Sequence, residues 1–383
     1  MKKIIRILIL CLSCIGACWL LPACSSALEE PESGGGGDGS TVTLTIQAMV
    51  PGTTTRADAT SIPEREQIDK LRIIVVDKTT NNVEYNSLLN FPNRDGSSYN
   101  IEVTKNGTKL VYFLANTESL TNLSLPRKGQ TWNGTEVDGY VLHSLPENRL
   151  PFTSKYEIEV EEEDVSATCY IAIAAIKFSL DFTNKTKSNI EVQSLKISSI
   201  ANQSYLLPHL NSKDDWDKWI TSVTSNDNNP KPYITAYSIP EGTRHQEFEV
   251  KANKTATETD DGNGTGNGDG TDDATGNTSD NSSFTVATNE TYTFDSFYCH
   301  ESKFILQGET KQYYSIQFEI GDKTYYGVIE DLESLIRSTH VIIHININKL
   351  DDNPGNIVVW GTITPWTEDP PVEGGLEEVT SEP

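Results

Sequence analysis

The sequence predicts an all-β fold made of two antiparallel β-sandwich domains in tandem, and three observations predict it. The dominant hydrophobic period is two, short strand-like runs recur along the chain, and clusters of Gly, Asn, Asp and Pro separate them where an α/β protein would place helices. Alternation of this kind sets one face of each strand on a core and the other in water. With 383 residues the chain has room for two domains of ordinary size.

The chain opens on Lys2, Lys3 and Arg6, followed by an apolar run from Ile7 to Leu21 that ends in Leu21-Pro22-Ala23-Cys24. A positive start, an apolar middle and a small residue before the cut make a secretory signal, and a cysteine just after the cut is the residue a bacterial cell diacylates. Residues 1–23 are therefore predicted to be a lipoprotein signal peptide, too short for a comfortable membrane span, with Cys24 the lipidated first residue of the exported chain. Residues 24–40 form a tether whose Gly-rich part, Ser33 to Ser40, has the composition of a flexible coil. Its Glu29, Glu30 and Glu32 fit export to the cell surface and equally a solvated linker.

The first domain is predicted over 41–183. Thr41-Val-Thr-Leu-Thr-Ile-Gln-Ala48, Asn100-Ile-Glu-Val103 and Tyr156-Glu-Ile-Glu-Val160 alternate and read as half-buried strands. Leu71-Arg-Ile-Ile-Val-Val76, Lys109-Leu-Val-Tyr-Phe-Leu-Ala115 and Cys169-Tyr-Ile-Ala-Ile-Ala-Ala-Ile176 are more continuously apolar and read as central strands. Asn184-Lys-Thr-Lys-Ser188 marks the boundary, and the second domain is predicted over 184–367. It holds alternating strands at Ile190-Glu-Val192 and His344-Ile-Asn-Ile-Asn348 and a further central strand at Asn356-Ile-Val-Val-Trp360. Helical signals are sparse, a turn or two at Asp214–Ile220 and at Leu332–Ile336. Residues 251–283 are almost free of apolar side chains and read as a disordered acidic loop, and 368–383 as an acidic tail.

Composition excludes several function classes. The formal net charge of -25 becomes -28 once the signal's three positive charges are gone, so the clustered cations that nucleic acid requires are missing. Of the six cysteines only Cys169 and Cys299 remain after the signal and the lipidated Cys24, either as one disulfide or as two buried thiols. Asp261, Asn263, Thr265, Gly266, Asn267, Asp269 and Asp272 loosely follow calcium-loop spacing, but Thr265 and Asp272 depart from it and a solvated loop is the better reading. His340 and His344 stand four apart on a strand, about 13 Å from each other, too far for one metal. No nucleophile elbow, phosphate loop or Cys-x-x-Cys is present, and no enzyme activity, metal or cofactor is expected.

The order of the motifs resembles that of the Bacteroidetes fimbrillin lipoproteins. The likeness is carried by the lipobox, the early strand Thr41–Ala48, Thr53-Thr-Thr-Arg-Ala57, Leu71-Arg-Ile-Ile-Val-Val-Asp77 and Phe113-Leu-Ala-Asn116. It continues with Ala174-Ala-Ile-Lys-Phe178, Arg337-Ser-Thr-His-Val-Ile-Ile-His344 and Trp360-Gly-Thr-Ile-Thr-Pro-Trp366. The resemblance implies two transthyretin-like, Greek-key sandwiches, anchoring in the outer membrane through lipid, and assembly with other pilus subunits into a fimbrium that serves cell adhesion. It also implies cleavage by an Arg-specific surface protease after Arg56, leaving Ala57 as the new N-terminus and discarding Val42, Leu44 and Ile46 with the first strand. Arg65 is a nearby alternative site, and Arg56 could equally be an ordinary loop arginine.

A strand from another subunit would then fill the vacated place, restoring sheet hydrogen bonds and alternate side-chain burial. The donor candidate is Ile357-Val-Val-Trp-Gly-Thr-Ile-Thr364, with Ile357, Val358, Val359, Trp360 and Ile363; an intramolecular strand is the alternative. A reading from another class is a monomeric surface lipoprotein binding glycan or protein through Tyr313, Tyr314, Tyr325 and Tyr326, pairs that a strand divides between core and solvent.

Overall fold

The computed structural model describes residues 40–50, 62–92, 96–210, 237–252, 283–303, 314–329, 334–350 and 357–365. The expected signal peptide, Cys24, Arg56, Ala57, Tyr313, the helical turn at Asp214–Ile220, nearly all of the acidic loop and the tail lie outside the described residues. None of the described helices is long and apolar enough to cross a membrane.

Strands dominate. The first nine are β1 (Thr41–Met49), β2 (Lys70–Asp77), β3 (Val83–Asn90), β4 (Ser97–Thr104), β5 (Gly107–Ala115), β6 (Val141–Leu142), β7 (Phe152–Val160), β8 (Val165–Tyr170) and β9 (Ala172–Ile173). Eight of them form a three-stranded sheet in the order β4-β1-β8 and a five-stranded sheet in the order β3-β2-β5-β7-β9, while β6 pairs with a later strand. Next come β10 (Ile176–Asn184), β11 (Ile190–Val192), β12 (Ser194–Ala201), β13 (Ser204–Tyr205), β14 (His245–Glu249), β15 (Phe284–Val286) and β16 (Thr291–Thr293). The last are β17 (Phe297–Cys299), β18 (Ser302–Lys303), β19 (Tyr314–Ile320), β20 (Lys323–Ile329), β21 (Ser334–Leu335), β22 (Thr339–Ile347) and β23 (Ile357–Pro365). Their main sheets run β16-β10-β22-β23, with β17 also on β10, and β14-β12-β19-β20.

Most pairings are antiparallel, as the sequence predicts, but β1 with β8 and β10 with β22 are parallel. Parallel partners need a long crossover, and in each case an earlier strand meets one that arrives much later in the chain.

The cores explain the hydrophobic patterns. Leu44, Ile46, Ile73, Val75, Ile101, Val111, Phe113 and Ile158 belong to one cluster, between the two sheets of the first nine strands. The other faces of β2 and β5, with Ile74, Val76, Tyr112 and Leu114, are covered by Trp132, Val137, Leu142, Leu206 and Leu207. Burial on both faces is why these two strands read as continuous apolar runs. Another cluster collects Phe178, Leu180, Phe182, Ile197, Ile316, Phe318, Val341, Ile343 and Ile345. β10 thus packs in this later core.

Three elements differ from the sequence reading. Cys169–Ile176 is a buried passage through the end of β8, β9 and the start of β10, because hydrophobicity alone cannot separate a buried strand from a buried crossing. Asn356–Trp360 contributes to β23, which among the described residues pairs with β22 alone at the edge of its sheet and whose Val358 and Trp360 are exposed. Ser334–Leu335 pairs with β18 where a helical turn was expected; so short an apolar segment cannot nucleate a helix unaided.

Polar groups tie the two large cores together. Arg337 is fully buried, bonded to Glu301, and its guanidinium donates to the carbonyls of Tyr205 and Leu206, both at 2.6 Å. Ser338 Oγ accepts from the Ile173 amide at 2.9 Å. Glu66, also buried, receives Lys177 Nζ at 2.9 Å and Tyr298 Oη at 2.7 Å.

Candidate functional site

The first strand occupies an interior position, and its seat is the candidate site. β1 runs antiparallel to β4, from Thr41 opposite Thr104 to Ala48 opposite Ser97, and parallel to β8, from Leu44 opposite Val165 to Met49 opposite Tyr170. Thr-apolar alternation over Thr41–Met49 sends Leu44, Ile46 and Ala48 inward, each fully buried, while Thr43, Thr45 and Gln47 face outward. Burying Leu44 and Ile46 stabilises this arrangement by about 1.5–3 kcal/mol each. Both ends are fastened as well. The Lys105 amide donates to the Ser40 carbonyl at 3.0 Å, and the Ile171 amide to the Met49 carbonyl at 2.7 Å. The Thr43 amide donates to Asp164 Oδ1 at 2.7 Å, which gives the acidic cluster 161–164 one specific partner on this strand.

Withdrawal of β1 would leave two rows of unpaired backbone groups, on β4 and on β8, above an apolar trough. The trough floor is set by Ile101, Val103 and Cys169 from the flanking strands and by Ile73, Val75, Val111 and Phe113 from the opposite sheet. Cys169 stands opposite Ala48 and is buried, and burial pushes its thiol up to about 12. Cys169 and Cys299 are both unbridged and belong to separate cores.

Among the described residues β4 pairs in its sheet with β1 alone, and a polar cluster holds it as well. Lys109, fully buried, places Nζ 2.8 Å from Asp77 Oδ2, 2.9 Å from Glu84 Oε1 and 2.7 Å from Thr104 Oγ1. Glu84 also accepts from the amide of Thr104 at 3.1 Å and from its hydroxyl. The cluster therefore binds the end of β4 to β2, β3 and β5 of the other sheet. Burial by itself would raise the Asp77 carboxyl, but the bonds from Lys109 and Thr80 overcome it and hold the group at about 2. Sequence reasoning missed this cluster although a signal was present: Lys109 shares strand parity with the core residues Val111 and Phe113, and an inward lysine requires partners.

The remaining candidates fall as follows. Arg65 lies in a 3-10 turn, Glu64–Glu66, donates Nη2 to the Pro146 carbonyl at 2.8 Å and stacks 4.7 Å above Tyr298. That is a poor substrate for a protease, which needs an extended and accessible chain. Ile357 and Val359 pack on the later core, Val358 and Trp360 are exposed, and β23 as a whole, Ile363 included, is in register with β22 from Ile347 opposite Ile357 to Thr339 opposite Pro365. Of the tyrosines considered for ligand binding, Tyr314 is buried, Tyr325 stacks on Phe318, and Tyr326 is exposed. His340 and His344 share one face of β22, where they meet Ser179 at 2.8 Å and Asp181 at 3.2 Å. Among the described residues no group of three or more His, Cys, Asp or Glu could hold a metal ion.

The chain matches no established family profile and no curated protein sequence. Solved structures similar to it include a fimbrilin from Porphyromonas gingivalis, 15% identical, covering 85% of this chain and 98% of that one with a TM-score of 0.45. Another is the tip fimbrial protein Mfa3 from Porphyromonas gingivalis with C-terminal truncation, 11% identical, covering 85% of this chain and all of that one with a TM-score of 0.43. Each of these alignments runs along most of both chains.

Proposed function

We propose that this chain is the precursor of a fimbrial subunit. It is exported as an outer-membrane lipoprotein through Cys24, cut after Arg56 by an Arg-specific surface protease, and built into an adhesive fimbrium with other pilus subunits by strand exchange. The observation that carries the reading is the seat of β1: it is the first folded element of the described chain, yet it lies between two strands and over a core. Its loss therefore removes no later connection while opening a site that only another extended segment can satisfy in full. The bound state of Arg65 favours Arg56 among the arginines considered.

Treating the full chain with an Arg-specific protease, sequencing the new N-terminus and following polymer formation by gel and microscopy tests the proposal. Expected are Ala57 at the N-terminus, a ladder of stable polymers, and loss of both in Arg56→Ala. Polymers that form unchanged in Arg56→Ala, or a mature chain that keeps β1, would sink it.

A further inference from the structure

The Lys109 cluster holds more than an ion pair requires. Among the described lysine–carboxylate pairs it is the one whose lysine side chain is fully covered, whereas Lys78, Lys155, Lys177 and Lys196 keep part of their surface in water. Its Nζ meets two carboxyls from different strands, Asp77 Oδ2 at 2.8 Å and Glu84 Oε1 at 2.9 Å. Asp77 and Lys109 are also register partners across β2 and β5, so the backbone fixes both ends of the approach. Burial keeps bulk water from competing with the amine for a carboxyl carbon, and fixed proximity replaces a chance encounter by a contact already made.

The two oxygens of Asp77 are held differently. Oδ2 faces the lysine, whereas Oδ1 accepts from the amides of Thr79 at 3.1 Å and Thr80 at 2.8 Å and from the Thr80 hydroxyl at 2.9 Å. Two amides and a hydroxyl aimed at one oxygen are the donor set that stabilises a tetrahedral oxyanion. The same donors keep the carboxyl ionised, which slows attack on its carbon, but a reaction that each chain performs once tolerates a slow step. Glu84 is placed as the base: its Oε1 accepts from Nζ and from the Thr104 hydroxyl, and Thr104 Oγ1 itself lies 2.7 Å from Nζ.

We propose that Lys109 and Asp77 join in an intramolecular isopeptide bond, with Glu84 as the proton carrier. Nζ gives one proton to Glu84 and attacks Cγ of Asp77, negative charge gathers on Oδ1, and collapse restores the Oδ1 carbonyl as the Cγ–Oδ2 bond breaks. Oδ2 leaves as water with two of the three ammonium hydrogens, one of them returned by Glu84, and the new amide keeps the third. Glu84 ends as the carboxylate it began as, and no oxidant, metal or cofactor takes part. The ion-paired cluster is the reactant, and only that form has an Asp77 carboxyl to titrate. The bond closes the chain between positions 77 and 109 into a ring, which restricts the unfolded state and fastens β2 to β5. It is independent of strand exchange.

The test is mass spectrometry of the full chain after unfolding and digestion with trypsin. Expected is peptide 73–78 joined to peptide 106–127, uncut at Lys109 and one water lighter than the two apart. Glu84→Gln, followed from synthesis onward and shown to be folded by a cooperative melt, should form the link at least about a hundredfold more slowly. The unsubstituted chain decides the matter whatever that variant does. If peptides 73–78 and 106–108 appear separately at full mass, with cleavage at Lys109, the proposal is wrong and the cluster is an ion pair alone. A water lost between peptide 106–127 and peptide 79–94, which carries Glu84, would overturn the choice of Asp77. Linkage at an undiminished rate in folded Glu84→Gln would overturn the role given to Glu84.

Discussion

Cys169 is a built-in reporter of whether β1 is seated. Its thiol faces the trough directly beside Ala48, and burial pushes it up to about 12, so at pH 8 only about one molecule in ten thousand carries the reactive thiolate. An accessible cysteine, titrating near 8.5, would be about a quarter ionised at the same pH. Loss of β1 should therefore accelerate alkylation or disulfide exchange at Cys169 by about a thousandfold, before any gain in steric access. The assay is time-resolved labelling with a maleimide and peptide mapping, on the intact chain and on the chain nicked between Val50 and Ile62 and stripped of its N-terminal fragment. Cys299 is the internal control, since it is buried in the other core. Labelling of Cys169 alone is expected. A Cys169 that stays inert after β1 has gone would show that the trough closes on itself, and equal labelling of both cysteines would show that the chain unfolds instead of opening a site.

Three other outcomes follow from the same geometry. Ile46→Ala should destabilise the intact chain by about 2–5 kcal/mol, read as a shift in denaturant midpoint, because the fully buried side chain leaves a cavity in the first core. Lys109→Met should cost about 3–5 kcal/mol, since it strands the Asp77 and Glu84 carboxylates beside an apolar chain, and β4 amides should exchange hydrogen faster than those of β2. Thermal stability should fall as pH drops from about 6.5 towards 4: burial, aided by Arg337 at His300 and Lys177 at His340, lowers both imidazoles to about 4, so the unfolded chain binds more protons across that window. The loss amounts to at most about 3 kcal/mol per histidine, and Asp77 adds about 2 kcal/mol more between pH 4 and 2.

What the sequence could and could not disclose divides along physical lines. β1 was legible to within a residue, predicted over 41–48 and observed over Thr41–Met49, because strict alternation is set by one buried face and one wet one. β2 and β5 were legible as central strands because two cores bury them from both sides. The pairing of β1 with β8 was not, since nothing local to either strand encodes a parallel partner more than a hundred residues away, roughly the scale of a whole domain. The passage from β8 through β9 to β10 looked like one strand for the same reason that β23 looked central: apolar composition reports burial or binding, not position in a sheet. Lys109 was overlooked inside an apolar run although its parity already required a buried counter-charge.

The junction at Arg337 bears on how load passes through the molecule. One guanidinium engages Glu301 and two carbonyls at Tyr205 and Leu206, while the neighbouring Ser338 engages the chain at Ile173 and Ala175. Removing either partner of that buried pair would strand the other charge, at a cost of about 3–5 kcal/mol. A tug applied at one core is therefore relayed to the other through a joint of directional bonds, all of which a hinge movement between the cores would have to break.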